Sequence, residues 1–178
     1  MRSFAASALC VLALQVGCSD EMTWRAVDRM IESSYPAVPT ITTDSLAGRL
    51  ADTTKVRPVL LDARTPAEYG VSHLRGARRV DPTATQFPGL DSLARDRPIV
   101  VYCSVGYRSA RIASRLRAHG FPNVANLEGS IFRWANEGRP VVRGDSVVRT
   151  VHPYDATWGR LLNEDLHSYD AGGDTARP

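Results

Sequence analysis

An α/β fold is predicted for this 178-residue chain: a doubly wound, mostly parallel five-stranded sheet with helices on both faces. Three observations predict it. From Thr40 onward, short apolar runs alternate with helix-like segments, the pattern of strands joined by helical crossovers. The run Ile99–Tyr102 has no polar position, as expected of a central parallel strand covered on both faces. Turn-forming Gly and Pro residues separate the segments, and no internal repeat competes with this reading.

The elements follow in order. DEMTWRAVDRMIESS (20–34) carries Trp24, Val27 and Ile31 at helical spacing, which predicts an amphipathic helix packed on the domain. Two prolines in YPAVPT end it. A short strand at Ile41 leads to a helix capped by Thr43 or Asp44. RPVLLDAR supplies a buried strand over 59–63. TPAEYG opens a short helix, with Thr65 as N-cap and Pro66 at its first position. ARRVDP predicts a short strand ending near Val80, and PGLDSLARD a helix. RSARIASRLRAHG predicts a helix with Ala110, Ala113, Leu116 and Ile112 turned inward and Gly120 and Pro122 as its stop. VANLEG is the last core strand, and SIFRWANEGRPV a helix closed by Gly138. Beyond these, VVRTVHP predicts an added strand. Trp158, Leu161 and Leu162 predict a docking patch, and AGGDTARP a disordered end.

Composition narrows the function. The hydrophobic share of 43% and charged share of 23% are those of a globular domain. A formal charge of +3, with no long block of one sign, gives no case for nucleic-acid binding. No cluster of metal-ligand spacings is present.

The N-terminal 1–17 reads as a signal peptide: Arg2 precedes an apolar run from Phe4 to Val16, too short to span a bilayer comfortably. Leu14-Gln15-Val16-Gly17-Cys18 resembles a bacterial lipobox, with Gln15 where an aliphatic residue is usual. Lipidation at Cys18 is therefore expected. It implies an exported protein on the periplasmic face of the cell envelope. Ser19 leans the sorting toward the outer membrane, and ordinary cleavage and release is the alternative. Residues 18–39 form an N-terminal helix and linker, 40–142 the main domain, and 143–178 a C-terminal extension. The only membrane contact expected is the lipid.

Export makes Cys103 conspicuous. Of three cysteines, Cys10 lies in the signal and Cys18 would carry lipid. Cys103 then stands alone in a compartment that favours disulfides, which points to a reactive thiol. It opens CSVGYRS (103–109) at the carboxyl edge of the Ile99–Tyr102 strand, where open α/β sheets bind ligands. A helix begins near Tyr107, and its N-terminus carries roughly half a positive charge. Gly106 permits a tight turn, and Arg108 adds a permanent cation with planar donors. Such a loop would lower the thiol pKa below its reference of about 8.5 and stabilise an anion on sulfur. The residues themselves thus predict a nucleophilic thiolate in an anion cradle. A buried, inert strand-end cysteine is the structural alternative.

Strand–CSVGYRS–helix resembles the active-site loop of the rhodanese-like sulfurtransferases. LDARTPAEYGVSHLRGA, ending at Ala77, is similar to that family's Asp-x-Arg segment and its His–Gly–Ala pattern. NLEGSIFRWANEGRPV (126–141) is similar to its closing segment, with Gly129, Trp134, Gly138 and Pro140 in place. The resemblance spans one complete rhodanese-like domain. It implies that Cys103 takes the outer sulfur of a donor such as thiosulfate, holds it as a persulfide, and yields it to a thiol or cyanide, with no metal or organic cofactor needed because the sulfur travels on the protein. The main-chain N–H groups of Ser104, Val105, Gly106, Tyr107, Arg108 and Ser109 would cradle that sulfur, with Arg108 on the donor's sulfonate oxygens. Arg64 would assist in orienting the donor and Asp62 would support the loop, or both would anchor a turn. Glu68 is expected to pair with an arginine or cap its own helix. A phosphatase group resembling this fold has a loop one residue longer, and the shorter loop here suits one sulfur atom better than a phosphoryl group. The remaining alternative is a persulfide- or anion-binding module that serves a partner without turnover.

Overall fold

The computed structural model describes residues 7–171. Helix α1 (Ser7–Ser34) leads to β1 (Thr40–Ile41), α2 (Thr43–Ala51), β2 (Val59–Asp62), α3 (Pro66–Val71), β3 (Arg78–Arg79) and β4 (Ile99–Tyr102). Then come α4 (Tyr107–Ala118), β5 (Val124–Leu127), α5 (Ser130–Asn136), β6 (Val141–Arg143) and β7 (Ser146–Val148). Five strands form one wholly parallel sheet in the order β1-β5-β4-β2-β3. The chain winds outward one way from β2 to β3 and the other way from β4 to β5. The crevice between the carboxyl ends of β2 and β4 is thus a topological switch point.

The central strands β2, β4 and β5 send alternate side chains to opposite faces of the sheet and are buried on both, whereas the edge strand β3 is exposed. Leu60, Val100 and Tyr102 join Trp24, Val27 and Ile31 of α1, Leu46 of α2 and Ile131 and Phe132 of α5 in one core. Leu61, Ile99 and Val101 pack with Ile112, Ala113 and Leu116 of α4 in the other. The α1 stripe is anchored further by Arg133, which stacks on the Trp24 ring and pairs with Asp28 at 3.6 Å. No described helix is long and apolar enough to cross a membrane.

The C-terminal segment belongs to the first core. Val151, Leu161, Leu162 and Leu166 are buried in it. Ser72 Oγ donates to the Thr150 carbonyl at 2.6 Å, and Asn136 Nδ2 to that of Leu161 at 2.8 Å.

Several local expectations change. The α2 cap is Thr42, whose hydroxyl accepts the Ser45 N–H at 3.2 Å; Thr43 and Asp44 lie inside the helix. PGLDSLARD forms only a 3-10 turn over Pro88–Leu90. Leu90 and Leu93 are its only apolar anchors, too few to offset helix nucleation. The strand expected in VVRTVHP starts earlier, at Ser146, pairs antiparallel with β6, and stops at Val148. The readings for residues 1–6 and 172–178 lie outside the described residues, and nothing is described of the Cys18 side chain.

Candidate active site

Strand β4 delivers Cys103 to the switch-point crevice, and the following loop wraps around its sulfur. Gly106, at φ +120°, turns the chain so that its N–H points back to Cys103 Sγ at 3.2 Å. A Cβ there would stand 3.0 Å from Ile31 Cδ1, so both the turn and the packing require glycine. The loop is fastened from below. The N–H groups of Ile131 and Phe132 donate to the carbonyls of Cys103 and Ser104 at 3.2 and 3.1 Å. The Cys103 N–H donates to Ser130 Oγ at 3.1 Å. Asn126 Nδ2 and Ser109 Oγ both donate to the Gly106 carbonyl at 3.1 Å. These bonds leave the amide of Gly106 free to face sulfur.

Cys103 is a free thiol, only 1% exposed, at the floor of a cavity of about 230 Å³. Burial pushes its pKa up. The charge of Arg108, the Ser109 hydroxyl and the N–H groups of Ser109 and Gly106 outweigh that and hold it below the usual thiol value. The sulfur is enclosed, yet its hydrogen-bond donors are aimed at it.

Beside the loop sits an ion pair. Arg108 Nη1 and Nη2 donate to Glu68 Oε2 and Oε1 at 2.9 and 2.6 Å, in bidentate geometry. Ser104 Oγ accepts from Arg108 Nη2 at 2.9 Å and donates to Glu68 Oε1 at 3.0 Å. Glu68 also completes a capping box with Thr65 at the start of α3, as TPAEYG predicts. Both alternatives expected for Glu68 are therefore realised together. Burial pushes the Glu68 carboxyl up, but the bonds and charge of Arg108, with those of Thr65, pull it down to about 2.

Arg108 was expected to receive the donor's sulfonate oxygens. Both its terminal nitrogens are instead committed to Glu68, and the Tyr154 ring lies over its guanidinium at 4.6 Å. Its charge still acts on Cys103 through space. The donor-orienting role of Arg64 also fails geometrically. Its side chain is fully buried, donates from Nε and Nη2 to Asp62 at 2.9 and 2.7 Å, and bonds the Ser72 carbonyl at 2.6 Å. Asp62 and Arg64 thus anchor the β2–α3 turn, the structural member of the two alternatives. His73 stacks on Tyr69 at 3.9 Å, and neither ring lines the cavity.

Cys103, Ser104, Val105, Tyr107 and Arg108 line the cavity together, while Gly106 and Ser109 sit behind it. Three further lining residues escaped the sequence reading: Met30 of α1, and Tyr154 and Trp158 of the C-terminal segment. The one signal for Trp158 was its place in an apolar patch, which reads equally as packing.

The sheet and its flanking helices are shared with known proteins. The family model described as a rhodanese-like domain matches residues 42–137, more than half of the chain. A sulfurtransferase of Allochromatium vinosum is 38% identical over 108 residues, which cover 57% of this chain and 92% of that protein. The probable adenylyltransferase/sulfurtransferase MoeZ of Mycobacterium tuberculosis is 34% identical over 82 residues, 46% of this chain but only 21% of that much longer protein. A rhodanese-related protein from Thermoplasma volcanium superposes with a TM-score of 0.51 at 27% identity, covering 59% of this chain and 98% of its own. The stretch matched by the family model includes Cys103 and its cradle, and the chain belongs to the rhodanese-like family, whose members include sulfurtransferases.

Proposed function

We propose that the protein is a sulfurtransferase that carries sulfane sulfur as a persulfide on Cys103. The Cys103 thiolate attacks the outer sulfur of a donor, of which thiosulfate is the simplest. A new S–S bond forms, the donor's own bond to that sulfur breaks, and sulfite leaves with the bonding pair. A thiol or cyanide then attacks the outer sulfur and releases Cys103 as thiolate. This is two-step covalent catalysis, and the sulfur travels on the protein.

The observation that carries this reading is the Gly106 N–H at 3.2 Å from Sγ, beside a thiol whose pKa is lowered despite burial. Such a group is a better nucleophile at neutral pH and a better leaving group in the second step. Arg108 contributes charge and, through Glu68 and Ser104, fixes the loop. The loop's shorter count between Cys103 and Arg108 speaks against phosphate hydrolysis.

The near-complete enclosure of Cys103 favours one other reading, a carrier loaded and unloaded by a partner with little free turnover. Intact-mass spectrometry after thiosulfate, and in parallel after polysulfide, tests the core claim. A gain of one sulfur atom, removed by cyanide and absent in Cys103→Ser, supports the persulfide. No gain while the thiol remains titratable overturns it. Steady-state turnover with cyanide separates the enzyme from the carrier. We also propose an exported protein, lipid-anchored at Cys18 on the periplasmic face of the envelope. A fatty-acyl mass on an N-terminal Cys18 peptide from native membranes would support this, and an unprocessed N-terminus would exclude it.

A further inference from the structure

The walls facing Cys103 come from outside the family's domain. The matched region, 42–137, supplies the loop side of the cavity: Ser104, Val105, Tyr107 and Arg108. The opposite side is Met30 from α1 and Tyr154 and Trp158 from the C-terminal segment. These two segments are 124 residues apart at Met30 and Tyr154 in the chain, and both line the cavity over the sulfur.

That added wall is a thioether, a phenol ring and an indole, facing Val105 and the Tyr107 ring. Arg108 is the one charged side chain among the described lining residues, and its guanidinium is already paired through the bidentate contact to Glu68. The sulfur itself is held by the Gly106 N–H, but an acceptor with a charged body beyond its thiol would leave water and find no unpaired cation on this wall, at a considerable desolvation penalty. A neutral apolar body would instead cover Met30 and Tyr154, which are 39% and 41% exposed. Tyr154 is held there by more than chance packing. Its backbone sits at φ +69°, a region that residues with a Cβ rarely adopt, and its N–H donates to His152 Nδ1 at 3.0 Å. The volume of about 230 Å³ lies below the roughly 300–1,000 Å³ of pockets for drug-sized ligands. A single ring or a short alkyl chain is the size that fits.

We infer that the sulfur acceptor is a small, uncharged thiol with an aliphatic or aromatic body, selected by Met30, Tyr154 and Trp158. The inference rests on the persulfide reading above and names its second substrate. The acceptor's thiolate attacks the outer sulfur of the Cys103 persulfide and forms a new S–S bond. The bond from Sγ to that sulfur breaks, and its electron pair returns to Cys103 as thiolate. The proton of the persulfide stays on the transferred sulfur, so the product is an organic persulfide. No oxidant or reductant is consumed.

The test compares benzyl mercaptan with 2-mercaptoethanesulfonate as acceptors for the sulfur-loaded protein. Burying one ring predicts a KM lower by about tenfold or more for benzyl mercaptan. Met30→Glu, at a half-exposed helix position that tolerates polarity, should erase most of that preference, and Trp158→Ala should raise the KM for benzyl mercaptan more than it lowers kcat. Calorimetric titration of Cys103→Ser with benzyl mercaptan gives a readout that needs no sulfur transfer. Binding there that weakens in Cys103→Ser/Met30→Glu supports the inference. Equal KM values for the two thiols, or no binding to Cys103→Ser, overturns it. Absence of a persulfide on Cys103 would overturn the functional reading instead, while the titration still decides what the cavity prefers.

Discussion

Glu68→Gln removes one partner from the ion pair that organises the site while nearly preserving its shape. Glu68 is almost fully buried, and its carboxyl is lowered from 4.5 to about 2 in the folded protein. At 1.36 kcal/mol per pKa unit, this shift corresponds to about 3 kcal/mol of stability at neutral pH. Removing one member of a buried pair costs a similar amount, roughly 3–5 kcal/mol. The lower end applies here because the Arg108 side chain keeps 18% of its exposure and so some contact with water. With a urea slope near 2 kcal/mol/M, the unfolding midpoint should fall by about 1.5 M. The sign follows from linkage: a carboxylate with a depressed folded pKa contributes its stability above pH 4.5 and loses it as pH falls toward 2. Urea unfolding of both proteins across this window is the assay. The gap between them should be widest near neutrality and narrow on acidification. A gap below about 1 kcal/mol, or one that stays constant from pH 6 to 2, would refute the assignment of this pair as the clamp on the loop.

Three further outcomes are expected. Alkylation of Cys103 by iodoacetamide should titrate with a midpoint below the free-thiol value of about 8.5, and Arg108→Gln should raise it; a midpoint at or above 8.5 in the unmodified protein would count against the cradle. Gly106→Ala should cost about 1–3 kcal/mol from its φ of +120° and the Ile31 contact, and abolish most sulfur loading, as read by thermal melts and intact mass. The Asp28 carboxyl is raised from 3.8 to about 6 by burial, which wins over Arg133 with help from Glu128, Glu32 and Glu21. Folding therefore binds its proton more tightly, so stability should decline by about 1–3 kcal/mol as pH rises from 4 to 7. Asp28→Asn should flatten that decline, and parallel profiles would show that Asp28 is not its source.

Much of the fold was legible because its signals are local. Four consecutive apolar residues announce β4, and the Thr65-Pro66 start with Glu68 three residues after its cap announces α3. Cys103 was legible for the same reason: strand end, glycine and helix start lie within a few residues. What stayed hidden was long-range. Glu68 was expected to find an arginine, but nothing local says that it is Arg108, 40 residues on. Arg64 looked available because arginines are almost never fully buried unless paired. Its partner is two residues away, a spacing that puts both side chains on one face of an extended strand end. Met30, Tyr154 and Trp158 meet over the sulfur through tertiary packing alone. PGLDSLARD misled in the opposite direction, since helix-compatible residues stay in turns when too few of them reach the core.

The two-sided enclosure of Cys103 bears on how members of this family are compared in the laboratory. A fragment trimmed to the shared domain would discard one side of the cavity over Cys103, and would strip from the core that holds Leu127, Ile131 and Phe132 the buried side chains that α1 and the C-terminal segment contribute to it. Rates taken from such a fragment would describe an open thiol on a sticky surface. Only the chain that includes both flanks reports the selectivity of the native site.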